Sequence, residues 1–229
     1  MFSKVKYEIL NALHILFIHL ENMISSARRA LGRLSDFCMD KKYDIDTQAI
    51  ADTTYIPISE KVFNLIMKNI NLKENICFFD YGSGKGKALI LAAEHGICTI
   101  GGIEYDEELV KACNQNLERY KEISSTSAHF DVVYGDATKY KEIDEYNLFF
   151  VNNSFGGNPS EERLVAKLLK NIEDSLERNK RHINIVYVHP GISLQKLFDT
   201  YGWLKERSVI QNTYRPKTDK AYIYIFCIE

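Results

Sequence analysis

The chain has 229 residues, 45% of them hydrophobic, enough for one domain of ordinary size with a real core plus an appendage. Charged residues make up 26% and nearly cancel, giving a formal net charge of -2 and a pI near 6.3, so no global field favours a polyanion and there is no strong nucleic-acid signature. The five cysteines (Cys38, Cys77, Cys98, Cys113, Cys227) are odd in number and lack C-x-x-C pairing, which argues against a disulfide framework and a zinc site and for a reducing cytoplasm.

Residues from about 5 to 35 contain no proline and only Gly32, and their apolar positions recur at helical spacing, with Arg28, Arg29, Arg33, Lys41 and Lys42 near the end. Ile9-Leu10 and Leu13–Ile18, behind Lys4 and Lys6, mimic a signal peptide. Asn11, His14, His19 and Glu21 interrupt that run, however, and it falls short of the roughly 20 apolar residues a membrane span needs. Residues 1–50 therefore read as a helical extension, expected to pack on the main domain or to self-associate, with a basic membrane-surface helix as the alternative. The corresponding location is cytoplasmic, peripheral to a membrane in the second case.

From Asp52 short runs rich in Ile, Val and Phe alternate with longer helical segments, the pattern of a parallel α/β sheet. A helix over Glu60–Ile70 precedes a first strand at Ile76–Asp80. A helix over Lys87–Glu94, a strand at Ile97–Glu104, a helix over Glu107–Ile123 and a strand at Phe130–Tyr134 follow. Next come a strand at Asn147–Asn152, a helix over Ser160–Arg178, a strand at Ile183–Val188 and a helix over Ser193–Tyr201. Leu204–Gln211 and Ala221–Ile228 are strand-like with no helix between them, so they should form an antiparallel hairpin, because a parallel crossover needs about a dozen residues or more. Cys77, Cys98 and Cys227 fall in such apolar runs and are expected to be buried structural thiols.

The turn Asp80-Tyr-Gly82-Ser-Gly84-Lys-Gly86 joins the first strand to a helix. Its glycines let the backbone lie flat against a ligand, and the helix N-terminus offers unpaired N–H groups. A nucleotide-like cofactor suits it, either a dinucleotide or S-adenosylmethionine; a purely structural turn is the third reading. In the dinucleotide fingerprint G-x-G-x-x-G the third glycine would stand where Lys87 is. Glu104 ends the next strand about 20 residues past the loop, where a carboxylate can accept both ribose hydroxyls of an adenosine. Asp106 reads as a helix cap. Asp136, in Gly135-Asp136-Ala137, ends the third strand, where it can meet an adenine amino group. Three acids ending three consecutive strands favour the methyl donor.

On these residues, the stretch from about Asp52 to the C-terminus resembles the seven-stranded (class I) S-adenosylmethionine-dependent methyltransferases, a Rossmann-like fold. The resemblance implies that Asp80, Gly82, Ser83 and Gly84 cradle the methionine part of the cofactor. Glu104 would hold the ribose, and Asp136 and Ala137 would meet the adenine. Beside Glu104, Tyr105 is read either as packing on the adenine or as a half-exposed tyrosine near the sheet edge. The resemblance further implies a mostly parallel sheet whose last strand is antiparallel, in a domain spanning 51–229. Met39–Thr47, Tyr55-Ile-Pro57, the loop at Asp80–Gly86 and Tyr187-Val-His-Pro190 are similar to a bacterial group of small methyltransferases of unassigned substrate. The cofactor loop of that group is similar to those of non-SET lysine methyltransferases, which implies that Tyr55 and Pro57 belong to a lid; a linker turn ahead of the helix is the alternative.

The methyl acceptor is expected at Phe150–Gly157, outside the carboxyl ends of the strands. This segment resembles an Asn-Pro-Phe motif, with Asn153 in the Asn place, Phe155 in the aromatic place and Ser154 where proline is usual. Asn153 can orient an amine lone pair through its amide oxygen, and Phe155 can stack on a planar or cationic acceptor; the same residues are also ordinary turn formers. His189 faces the same edge as a base, a substrate contact or a structural histidine. The expected activity is methyl transfer to a nitrogen or oxygen nucleophile, with a protein side chain favoured. A small-molecule or nucleic-acid acceptor is one alternative, and a non-catalytic S-adenosylmethionine-binding protein the other.

Overall fold

The computed structural model of the protein describes residues 2–50, 55–70, 75–155, 160–204, 206–212 and 222–228. The expected domain boundary at residue 51, the glycines at 156 and 157 and most of the connection between the last two strands lie outside them.

Thirteen elements are described: α1 (Phe2–Tyr43), α2 (Glu60–Met67), β1 (Cys77–Tyr81), α3 (Lys87–Glu94), β2 (Thr99–Glu104), α4 (Glu107–Ser124), β3 (His129–Tyr134), β4 (Leu148–Asn152), α5 (Glu161–Arg178), β5 (Ile183–Val188), α6 (Ile192–Phe198), β6 (Glu206–Gln211) and β7 (Tyr222–Ile228). The strands form one seven-stranded sheet in the order β3-β2-β1-β4-β5-β7-β6. β1 through β5 pair in parallel, whereas β7 runs antiparallel to both β5 and β6. The order reverses between β1 and β4, and at such a switch point open α/β sheets bind ligands beyond the carboxyl ends of the strands.

Both faces of the sheet are covered, so its central strands read as continuous apolar runs. Successive side chains alternate between faces. Phe78 and Phe150 accordingly enter a core with α2, α3 and α4, while Phe79 and Phe149 enter a second core with α5 and α6. Each such buried phenylalanine is worth roughly 1.5–3 kcal/mol.

α2 starts at Ser59, whose hydroxyl accepts from the Val62 N–H at 3.3 Å, and it buries Val62, Phe63 and Ile66. α4 starts at Asp106, the expected cap, which accepts from the N–H groups of Glu108 and Leu109 at 2.9 and 3.2 Å. The thiols depart from expectation. Cys98 is exposed and Cys77 and Cys227 are half-buried, whereas Cys113 on α4 is fully buried. The reason is local: Cys98 stands before β2 begins, and it is Ile97 that turns inward.

α1 is longer than its periodicity predicts, continuing through Met39 and Tyr43, which pack into the first core. Farther back its apolar residues face outward: Leu16 and Met23 are 64% and 70% exposed. No described helix is long and apolar enough to cross a membrane.

Candidate active site

The site is built on the turn after β1. Gly82 and Gly84 have φ of +85° and +52°, which β-carbon-bearing residues rarely adopt. Space is closed to a side chain as well. A β-carbon at Gly82 would lie 2.6 Å from Ser154 Oγ, and one at Gly84 would lie 2.1 Å from the Tyr55 ring. The two glycines thus let β4's end and the Tyr55 segment close onto the loop from opposite sides.

Asp80 sits inside β1, between Gly102 of β2 and Phe150 of β4, and is buried. Burial, and after it the charge of Glu104, pushes its carboxyl well above the ordinary carboxylate range. Asp80 Oδ1 and Ser83 Oγ are buried polar atoms with no hydrogen-bond partner. Such orphans are costly in a folded chain, and at a ligand edge they are open valences. Glu104 is held by main-chain donors. Its Oε2 accepts from Gly84 N–H at 2.9 Å, and its Oε1 accepts from Tyr105 and Asp106 N–H at 2.8 and 3.0 Å. Both acceptor sites of Oε1 are taken in this grip, while Oε2 keeps one free, so the carboxylate can still accept a hydroxyl there. The open valences suit a ligand that presents an ammonium and a hydroxyl.

A cleft enclosing about 550 Å³, its mouth included, opens over this loop. Tyr55, Pro57, Asp80, Gly82, Ser83 and Asn153 all line it, along with Lys87 and Asn152. Neither Glu104 nor Gly84 is part of its lining, although the Gly84 N–H that Glu104 accepts follows directly on Ser83, which is. Farther along the rim, Gly135 N–H donates to the Glu104 carbonyl at 2.9 Å, which sets Asp136 beside that strand end. Asp136 is engaged locally: Oδ1 accepts from the Thr138 N–H and hydroxyl at 2.9 and 2.8 Å, and Oδ2 pairs with Lys139 at 3.2 Å. Tyr105 is 79% exposed, and Ala137 is half-buried against the second core.

At the end of β4, Asn153 takes a left-handed φ of +57°. Ser154 donates its hydroxyl to the Tyr81 carbonyl. Phe155 lines neither this cleft nor its neighbour and is half-buried against the second core. A second, adjoining cleft is lined by Ile56, Pro57, Ile58, Asn152 and Asn153, shared with the first, and by residues of α1, His189 and Asn212. His189 meets the Asn212 amide at 2.9 Å.

Several residues that position this site are given no role by the sequence, although Asp40, Asp46 and Thr47 lie in the Met39–Thr47 stretch that carries part of the resemblance. Asp40 receives the Thr47 hydroxyl and N–H at 2.6 and 3.1 Å, and the Thr47 carbonyl accepts the Tyr55 hydroxyl at 3.2 Å. Asn116 of α4 clamps the same segment, donating to the Asp46 and Lys85 carbonyls at 2.8 and 2.9 Å and accepting from Asp46 N–H at 3.0 Å. Lys87, notable in the sequence only for displacing a glycine, is buried and paired with Asp36 of α1 at 3.0 Å.

The sheet order, the antiparallel end and the glycine loop after β1 define a Rossmann-like class I methyltransferase, an enzyme class whose cofactor is S-adenosylmethionine. Solved structures share the fold. A methyltransferase from Pyrococcus furiosus superposes with a TM-score of 0.61 at 16% identity, covering 89% of this chain and 98% of that one. The human methyltransferase 10 domain containing protein gives 0.55 at 14%, covering 88% and 97%. An RNA methyltransferase from Salinibacter ruber, in complex with S-adenosyl-L-homocysteine, gives 0.51 at 19%, covering 76% and 94%. Among curated proteins none matches the chain. Residues 41–177, more than half of the chain, match the family described as Histone methylation protein DOT1, and the protein belongs to that family.

Proposed function

We propose that this protein transfers a methyl group from S-adenosylmethionine to a nitrogen or oxygen nucleophile, with a protein side chain as the favoured acceptor. One observation carries the reading: Asn152, Asn153 and the Ile56–Ile58 segment line both clefts, forming a shared wall between a donor pocket and an acceptor pocket. When bound, the cofactor supplies an activated methyl group on a sulfonium.

What this chain contributes is position. In this reading Asp80 and Ser83 take the amino-acid end of the cofactor, the glycines leave room for it, and Glu104 holds the ribose through the free site on Oε2. Asp136, Ala137 and Tyr105 bound the adenine side, and Tyr55 and Pro57 cover the pocket and exclude water. Asn153, at the wall, orients the acceptor lone pair toward the methyl group, and such alignment accounts for most of the rate. Phe155 supports the turn from behind.

The family's description as a histone methylation protein supports the protein acceptor. A small-molecule acceptor is the second reading, favoured by the acceptor cleft being roofed by α1. The test is radiolabelled methyl transfer to extract fractions with and without protease or nuclease. Protease-sensitive label supports the first reading, label resistant to both supports the second, and nuclease-sensitive label contradicts both.

A further inference from the structure

Between Ser25 and Asp36, α1 turns a polar face to the domain. Ser25, Gly32 and Asp36 are buried and Arg29 is half-buried, at the three- and four-residue spacing of one helix face. Leu31, Leu34 and Phe37 point away, each more than half exposed at 55%, 57% and 55%. A face of small and basic residues cannot fill a core, and the result is the second cleft, about 1080 Å³ with its mouth. Arg28, Arg29 and Arg33 line one side of it, and Pro57, Asn153 and His189 the other.

Charge in this cleft runs against that of the chain. The acid in its lining, Asp36, is already taken by Lys87 at 3.0 Å and by the Glu60 N–H at 2.9 Å. Among the described residues neither Arg29 nor Arg33 has an ion pair or hydrogen bond. A protein of net charge -2 thus concentrates uncompensated guanidinium groups at one concave place, beside Asn153. Guanidinium forks match the planar oxygens of carboxylates and phosphates, and a partly enclosed cleft strengthens that attraction over open water.

We infer that this cleft binds an oxyanion of the methyl acceptor, a phosphate or a carboxylate, through Arg29 and Arg33, so that the acceptor's nucleophile is presented at Asn153. The inference rests on the methyltransferase reading above. It specifies an acceptor that carries a negative group a short distance from the methylated atom, and α1 becomes part of the acceptor site.

The test is calorimetric titration of the full chain, saturated with S-adenosylhomocysteine, with inorganic phosphate, phenyl phosphate, acetate and, as a cationic control, choline. The expected result is one-site binding of a phosphate probe or of acetate, none of choline, and at least a tenfold loss of affinity in Arg29→Ala/Arg33→Ala with S-adenosylhomocysteine binding unchanged. Whichever anion binds identifies the oxyanion. Arg163→Ala, on the exposed face of α5, should leave anion binding intact. Failure of every anion to bind the S-adenosylhomocysteine-saturated protein, or equal losses in the double variant and Arg163→Ala, would overturn the inference alone. Failure of the unaltered protein to bind S-adenosylhomocysteine would overturn the methyltransferase reading and this inference with it.

Discussion

Asn152 donates from Nδ2 to the Ile56 carbonyl at 2.9 Å, tying the carboxyl end of β4 to the Tyr55–Ile58 segment that lines the first cleft and is proposed to cover the cofactor. The bond joins the end of a central strand to the segment ahead of α2, 96 positions earlier in the chain. Asn152→Ala removes a hydrogen bond worth about 1 kcal/mol. Affinity for S-adenosylhomocysteine should fall three- to tenfold with little change in thermal unfolding; an unchanged affinity in titration would show that the cover is held elsewhere.

Ser154 stands where its resemblance calls for proline, and the backbone explains the exchange. Asn153 lies at φ +57°, and a proline forces the residue before it toward extended conformations. The serine hydroxyl is also committed to the Tyr81 carbonyl behind Gly82. Ser154→Ala should cost about 1 kcal/mol, and Ser154→Pro more, roughly 2–3 kcal/mol. Chemical denaturation measures both; a neutral Ser154→Pro would contradict the geometry.

Asp80 makes stability depend on pH. Burial raises its carboxyl pKa on folding, with the charge of Glu104 adding to it. A group with a raised folded pKa stabilises the fold below its unfolded value, near pH 4, and that contribution is lost as pH climbs through the folded value. The cofactor-free protein should therefore lose stability as pH rises above the ordinary carboxylate range toward the raised folded value, and Asp80→Asn should flatten that slope in thermal unfolding. Across that same pH range a bound ammonium would favour the ionised carboxyl, so cofactor binding should release a proton, read as a heat that varies with buffer ionisation and disappears in Asp80→Asn.

Arg181 anchors the turn that feeds β4, donating to the carbonyls of Tyr146 at 2.7 Å and Ile143 at 3.0 Å and to the Ser175 hydroxyl at 3.0 Å. It is half-buried, so Arg181→Ala strands several acceptors together and should cost roughly 2–4 kcal/mol. Asp144→Ala, which breaks an exposed pair with Arg178, should cost under about 1 kcal/mol. Denaturation curves for the two variants should differ clearly, and equal costs would contradict this ordering.

Much of the sheet was legible because its strands are apolar on both faces: Phe78-Phe79 and Phe149-Phe150 feed two cores at once, leaving short hydrophobic runs between turn signals. The antiparallel end was legible because too little chain separates β6 from β7 for a crossover. The end of α1 was not, since Asp36, Asp40 and Lys41 break the apolar period while their helix packs by ion pairing and through Met39 and Tyr43. α2 stops at Met67 rather than at Ile70. Within the site, the loop and its acids stood out because glycine and carboxylate spacing is local. Asp40, Asn116 and Asn152 act across 7, 70 and 96 positions, and polar contacts at such separations leave no periodic trace. Cys98 shows the converse, the second residue of an apolar run whose first two residues lie outside the strand.

The roles proposed for Glu104 and Asn153 predict opposite kinetic signatures. Glu104→Ala should weaken S-adenosylhomocysteine binding at least tenfold, because it loses both the ribose acceptor and the anchor of Gly84. Asn153→Ala should spare that binding and lower turnover on the acceptor found in the labelling assay. Equal loss of binding in both variants would contradict the assignment.

The most direct measurement is calorimetric titration of the purified chain with S-adenosylmethionine, S-adenosylhomocysteine and NAD. Saturable one-site binding of the first two, with no heat from NAD, is the predicted result; tight NAD binding with neither sulfur nucleoside bound would contradict the assignment of the loop at Asp80–Gly86.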